Sequence, residues 1–164
     1  MDFTHWDTRL GACAVITDDR DRILLTWYNG ANPHPLWTLP GDGVEFEESL
    51  EAAVVREVYE ETGYHVVVGR PLFTRTATAR VGNRSPRPFK AVRVTFEATV
   101  VGGGLGTTEV GGTTGEAQWI PLADLPECGP RAQIVDEASV ILSRTVEDCD
   151  PERGTNLAQP AQTS

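Results

Sequence analysis

The most constraining feature of this 164-residue chain is an apolar stripe that turns acidic halfway along one helix. Glu48 to Thr62 reads as a helix, with Gly63 in the position that commonly ends one. At about 100° per residue, Leu50, Ala53 and Val54 share a face, as a core-facing helix requires. The next positions on that face are Glu57, Glu60 and Glu61, whose i, i+3, i+4 spacing makes the side chains converge. Like charges at that spacing cost about 0.2–0.5 kcal/mol per pair even in solvent, and partial burial adds the loss of hydration. Arg56, the one basic neighbour, cannot neutralise all three. The group can take up protons, bind a divalent cation, or lie on a solvated acidic face. Convergent carboxylate oxygens that leave positions for water and phosphate suit Mg²⁺, and the coincidence with the apolar stripe favours that reading. Glu47, Glu48 and Glu51 have a simpler account: near the helix N-terminus they complement its dipole.

Short strands surround this helix. Ala12–Thr17 and Ile23–Tyr28, separated by a polar turn, read as a hairpin, and Leu36–Leu39 as a third strand ending in Pro40-Gly41. Val66–Val68, Ala91–Val101 and Gln118–Leu122 are strand-like. Arg131–Arg144 reads as a second helix with Ile134, Ala138, Ile141 and Leu142 inward. Strands with one helix between them and another at the end give an α+β or three-layer sandwich. Residues 1–145 are expected to form one domain and the polar stretch 146–164 a frayed tail.

Composition narrows the partners. With 14 basic and 24 acidic residues the net charge is -10, which argues against binding a nucleic-acid polymer, where neutralising phosphates supplies the affinity. A small phosphorylated substrate remains compatible if a cation supplies positive charge. Between Asp42 and Glu61 eight acidic residues face one basic, so much of the imbalance lies around the acidic helix. Cys13, Cys128 and Cys149 form neither a zinc pattern nor a disulfide framework. No apolar run is long enough to span a membrane and Met1–Leu10 has no signal-peptide core, so a cytoplasmic location is expected. Gly102–Gly115 lacks the GK[ST] of a phosphate-binding loop and reads as a loop between strands. Arg75, Arg80, Arg84, Arg87 and Lys90 form a basic stretch that either recruits phosphate or is a solvated loop. Trp27, Tyr28, Phe73 and Phe89 are candidates to stack a base, with the core as the favoured place for each.

The segment from Asp42 resembles the signature of Nudix hydrolases, G-x5-E-x7-R-E-U-x-E-E-x-G-U with U aliphatic. Here it reads Asp42, Glu48, then Arg56-Glu57-Val58-Tyr59-Glu60-Glu61-Thr62-Gly63-Tyr64, preceded by Trp37-Thr38-Leu39-Pro40-Gly41. The likeness extends over about residues 10–145. It departs at Asp42, where the family has glycine, and at Tyr64, where an aliphatic residue is usual. If position 42 needs a positive φ, Asp adopts it at some cost.

The resemblance implies an α+β, three-layer α/β/α sandwich with a mixed β-sheet. It also implies hydrolysis of a nucleoside diphosphate linked to another group, at the pyrophosphate, with Mg²⁺ or Mn²⁺. By the same resemblance Glu57 and Glu61 are the main metal ligands, with Glu60 ligating or acting nearby and the Gly41 carbonyl adding a ligand. Arg56 holds the carboxylates, and Glu48 contributes to metal binding or catalysis. The base is a glutamate of the motif or of a later loop, where Glu109 and Glu116 are candidates and Glu116 is preferred. Arg75 and Arg80 are candidates for the substrate phosphate, and dimers are common among similar proteins. The competing function is a nucleotide-binding or regulatory domain of the same fold without turnover, a reading that Asp42 sustains.

Overall fold

Ala12, Ala14 and Ile16 alternate with Cys13 and Val15 along strand β1 (Asp7–Ile16), and both sets are buried. A strand buried on both faces needs a layer on each side. The computed structural model describes residue 2 and residues 5–30, 34–79, 87–107 and 114–148. It supplies those layers as helices α1 (Leu50–Thr62) and α2 (Gln133–Asp148). Between them lie β1, β2 (Arg22–Tyr28), β3 (Leu36–Thr38), β4 (Tyr64–Ala79), β5 (Phe89–Gly103) and β6 (Thr114–Pro121), with a 3₁₀ turn at Leu122–Glu127 leading to α2.

The strands form two three-stranded sheets. One is mixed, in the order β1–β5–β4, with β5 parallel to β1 and antiparallel to β4; the other, β3–β2–β6, is antiparallel. On one face Ala53, Val54 and Val58 of α1 pack with Ala12, Ala14, Ile16, Leu24, Val66, Phe96 and Ala98. On the other, Ile134, Val135 and Ala138 of α2 pack with Cys13, Val15, Ile23, Leu25, Trp37, Leu39 and Ile120. This is the α+β, three-layer arrangement with a mixed sheet. Trp27 and Phe73 pack against the α2-side core, and Trp27 meets Trp37 edge-on with ring centroids 5.0 Å apart.

Several local expectations are corrected. The β1–β2 hairpin is reduced to one bridge, Thr17 to Ile23. Asp18 accepts from the backbone N–H groups of Arg20 and Arg22 and holds the Arg22 guanidinium, closing the turn, while β1 pairs along its length with β5 instead. Strand β4 runs far beyond Val66–Val68 because irregular pairing on both sides of Pro71 absorbs the missing donor. Helix α1 starts at Leu50, capped by Ser49, whose hydroxyl accepts from Ala52 N–H at 3.1 Å. Helix α2 carries the backbone through Asp148, and the rest of the expected tail lies outside the described residues. Among the described residues no helix is long and apolar enough to cross a membrane.

The link between β3 and α1 sets the position of everything that follows. Residues 40–44 lie along the free edge of β1: Ala14 N–H donates to Pro40 O, Ala12 N–H to Asp42 O, and Val44 N–H to Leu10 O, each at 3.0 Å. Gly41 has φ of 124°, and a Cβ there would stand 2.3 Å from Ala12 O and 2.5 Å from Cys13 Cα. The positive φ therefore falls on Gly41 and not on Asp42, which carries no left-handed strain. At the other end of α1, Gly63 has φ of 74° and its Cβ would meet Gly104 O at 2.4 Å. Gly104 and Gly106 donate to Gly63 O and Thr62 O, so the described start of the glycine-rich stretch wraps the helix C-terminus.

Gly41→Ala is expected to destabilise the protein by about 2–4 kcal/mol, combining left-handed strain with a backbone clash. Urea unfolding of the purified variant measures this, and unchanged stability would mean the loop lies elsewhere.

Candidate active site

Glu61 is 6% exposed, at the buried end of α1's polar stripe. Its two oxygens accept from the Gly41 N–H at 2.9 Å and from the Thr114 hydroxyl at 2.8 Å, joining the helix, the loop over β1 and the start of β6. No cation pairs with it among the described residues. Burial therefore dominates and pushes its pKa up to about 7, with the charges of Glu57 and Asp42 adding to the rise and the two hydrogen bonds opposing it. Glu57 is also raised, chiefly by burial, while its hydrogen bond to Arg56 pulls the other way.

Arg56 distributes its donors over three carboxylates. Its Nε and Nη2 clasp Glu48 at 3.2 and 2.6 Å, and Nη1 reaches Glu57 at 2.6 Å and Glu60 at 3.2 Å. Nη2 also donates to Gly43 O, fastening the helix to the loop. These charge-assisted bonds, the Glu48 clasp first, raise the guanidinium's pKa further and lower that of Glu48. Glu48, immediately before the Ser49 N-cap, is thus also paired with Arg56.

Arg56 thereby joins Glu48, Glu57 and Glu60, while Glu61 is reached through Gly41. Glu116 stands apart. Its β6 neighbours Ala117 and Trp119 pack on the α1 side and Ile120 on the α2 side, so strand alternation puts Glu116 on the face away from α1, exposed. Arg75 also lies on the α2 side, paired with Glu137 at 3.0 Å and bonded to Gln133. Arg87 pairs with Asp7 at 3.1 Å and Lys90 lies over the Trp6 ring, so part of the basic stretch serves local structure. Arg80 and Glu109 fall outside the described residues. The sequence reading missed Thr114, which only tertiary contact brings to Glu61. It also missed Asp42's partners, Arg9 at 2.6 Å and Arg93 at 3.5 Å.

Among the described residues no three His, Cys, Asp or Glu side chains already converge as a ligand set. Glu57 and Glu60 turn to Arg56, and Glu61 to Gly41 and Thr114. The donor chemistry nonetheless fits a hard divalent cation. Glu57 and Glu61 are oxygen donors whose charge is disfavoured by burial, and each raises the cost of ionising the site. Arg56 engages Glu57 through Oε1 alone, so the second oxygen of that carboxylate can turn to a cation.

The fold and this helix–loop arrangement define a class, the α/β/α sandwich built around an acidic helix of the Nudix type. Residues 7–142 match the family model described as NUDIX domain, and the chain belongs to that family. It is 30% identical over 116 residues to a Bacillus subtilis protein named "Putative 8-oxo-dGTP diphosphatase", covering 71% of this chain and 68% of that one. The solved MutT NUDIX hydrolase of Burkholderia pseudomallei superposes with a TM-score of 0.61 at 27% identity, covering 81% of this chain and 96% of the other. An ADP-ribose pyrophosphatase of Streptococcus suis gives a TM-score of 0.57 at 26% identity, covering 88% and 93%.

The raised pKa of Glu61 has a defined consequence for stability. Folding favours the protonated form, so this contribution is fully present below its ordinary value of 4.5 and is lost as pH rises through about 7. The metal-free protein should lose on the order of 3 kcal/mol from this group over that window. Glu57 contributes in the same direction and Glu48 in the opposite one. Glu61→Gln, which preserves an acceptor for Gly41, should flatten the dependence and stabilise the metal-free protein at pH 8. Denaturant unfolding in EDTA across pH tests this; identical profiles for variant and wild type would refute it.

Proposed function

We propose that the protein is a metal-dependent pyrophosphohydrolase acting on a nucleoside diphosphate linked to another group, such as a nucleoside triphosphate or an ADP-ribose type compound. One observation carries the reading: the buried Glu61 carboxylate has no cationic partner among the described residues and lies on the same helix turn as Glu57. A binding module would gain nothing from retaining so costly a group. The names of the relatives from Bacillus subtilis and Streptococcus suis support the substrate class. The alternative, a domain that binds nucleotide without turnover, rested on Asp42. That residue sits without left-handed strain in ion pairs with Arg9 and Arg93, so the loop has no need of a glycine there.

In this reading Glu57, Glu61 and the Gly41 carbonyl hold Mg²⁺ or Mn²⁺, with Glu60 ligating or acting beside them. When bound, the cation supplies positive charge that offsets the pyrophosphate and makes water a better nucleophile at neutral pH. Arg56 keeps Glu48, Glu57 and Glu60 oriented. The proton of the attacking water goes to a carboxylate of α1, which is preferred over the exposed Glu116 because Glu57 and Glu61 already lie together on one helix turn. The Gly41 N–H and the Thr114 hydroxyl hold Glu61 in one orientation, which limits the reorganisation needed as charge develops at phosphorus.

A hydrolysis screen with Mg²⁺ over nucleoside triphosphates, ADP-ribose, dinucleoside polyphosphates and nucleotide sugars should reveal turnover of at least one. Release of neither phosphate nor pyrophosphate-cleavage products from any of them would sink the proposal. Glu57→Gln and Glu61→Gln should each lower kcat at least about 100-fold, since even groups that only orient metal ligands are worth 10–100-fold. Rates near wild type in either variant would remove that residue from the ligand set.

A further inference from the structure

Arg9 lies on β1 two residues before Gly11 and four before Cys13, which faces the α2 side. In the parallel register Gly11 is opposite Arg93 of β5, and Cys13 is opposite Thr95, whose hydroxyl is 3.3 Å from the Cys13 thiol. Alternation therefore brings Arg9 and Arg93 to the same face, with side-chain-less Gly11 between them. The antiparallel register places Arg75 of β4 directly opposite Arg93, so three arginines lie close together on one sheet face. Like charges directly opposite each other are destabilising, and each here is held by a carboxylate. Glu137 takes Arg75, and Asp42 divides its two oxygens between Arg9 at 2.6 Å and Arg93 at 3.5 Å.

Among the described residues, three positive charges against two negative ones leave this cluster cationic in a chain of net charge -10. Arg9 and Arg93 remain more than a third exposed and each gives Asp42 only one close contact, although a guanidinium carries five N–H donors. Gly11 leaves room for this arrangement: a Cβ there would lie 3.1 Å from Asp42 O and 3.4 Å from Arg93 Nε, so the neighbours would have to give. The cluster is also tied to the carboxylate site. Asp42 follows Gly41, whose N–H holds Glu61, and the Arg9 guanidinium is 3.4 Å from where a Gly43 side chain would begin.

From this arrangement we infer that Arg9 and Arg93, spaced by Asp42, form an anion subsite for a phosphoryl group of the substrate. Planar guanidinium donors match phosphate oxygens, and Asp42 fixes the two forks before the anion arrives. The residue that departs from the Nudix signature thus has a use: a glycine at position 42 would leave the two arginines unspaced. The inference rests on the hydrolase reading for the identity of the substrate, but its test does not depend on turnover.

Inorganic pyrophosphate with excess Mg²⁺ is the probe, titrated calorimetrically into wild type, Arg9→Gln, Arg93→Gln and Arg93→Lys. Each Gln variant should weaken binding about tenfold, as expected for one charge-assisted contact, and lower the salt dependence. Arg93→Lys, which keeps the charge without the fork, should recover part of that loss and guards against a Gln variant that does not fold. Affinity within twofold of wild type in both folded Gln variants, or no pyrophosphate binding by wild type, overturns the subsite. Loss of affinity in the variants of a protein that hydrolyses no substrate retires the hydrolase reading and leaves the subsite standing.

Discussion

A buried carboxylate that no cation meets among the described residues is the constraint on which this structure turns. Glu61 lies where the apolar stripe of α1 would otherwise carry a hydrophobic side chain, and ionising it there is disfavoured by lost hydration. Two donors from different parts of the chain partly compensate, the Gly41 peptide and the Thr114 hydroxyl. Those bonds pin the loop over β1 and the first residue of β6 to one turn of α1. Gly41 can serve because it alone fits: its φ is positive and the β1 backbone leaves no room for a side chain. The strain of the acidic helix and the placement of the loop are thus one arrangement seen from two sides.

Arg56 plays the complementary part on the exposed side of the same helix. It links Glu48, before the helix, to Glu57 and Glu60 within it, and through Gly43 O it clamps the loop from a second point. The consequence is a graded set of carboxylates. Glu48 is stabilised as an anion, whereas Glu57 and Glu61 are pushed toward neutrality by burial. In the proposed reading a divalent cation would supply the positive charge that Glu61 lacks among the described residues.

Much of this was legible in the linear sequence because it is local. The i, i+3, i+4 spacing of Glu57, Glu60 and Glu61 is a property of one helix, as is Arg56's reach to Glu57 and Glu60, whereas Glu61 turns to Gly41 and Thr114. The hairpin at β1–β2 was misread for the opposite reason. Local pattern identified two strands, but β1 pairs with β5 and β2 with β3 and β6, and only Thr17 and Ile23 bridge the two. Glu116 shows the same limit. Its place just before an aromatic strand residue was visible, yet which sheet face it occupies depends on the alternation set by Trp119 and Ile120 packing on opposite helices.

The sequence by itself determined the acidic helix, its glycine end, the two core-facing helices and the Nudix signature, since each is written in periodicity over a few turns or in fixed spacing. Only the tertiary structure decided that Glu61 is buried, that Gly41 and Thr114 hold it, and that Asp42 meets Arg9 and Arg93 across two strands. Those pairings join residues dozens of positions apart, and nothing in a one-dimensional pattern records which side of a sheet a side chain takes once both faces are covered. Burial and register, which set the charge state of each group, arise only when the layers close.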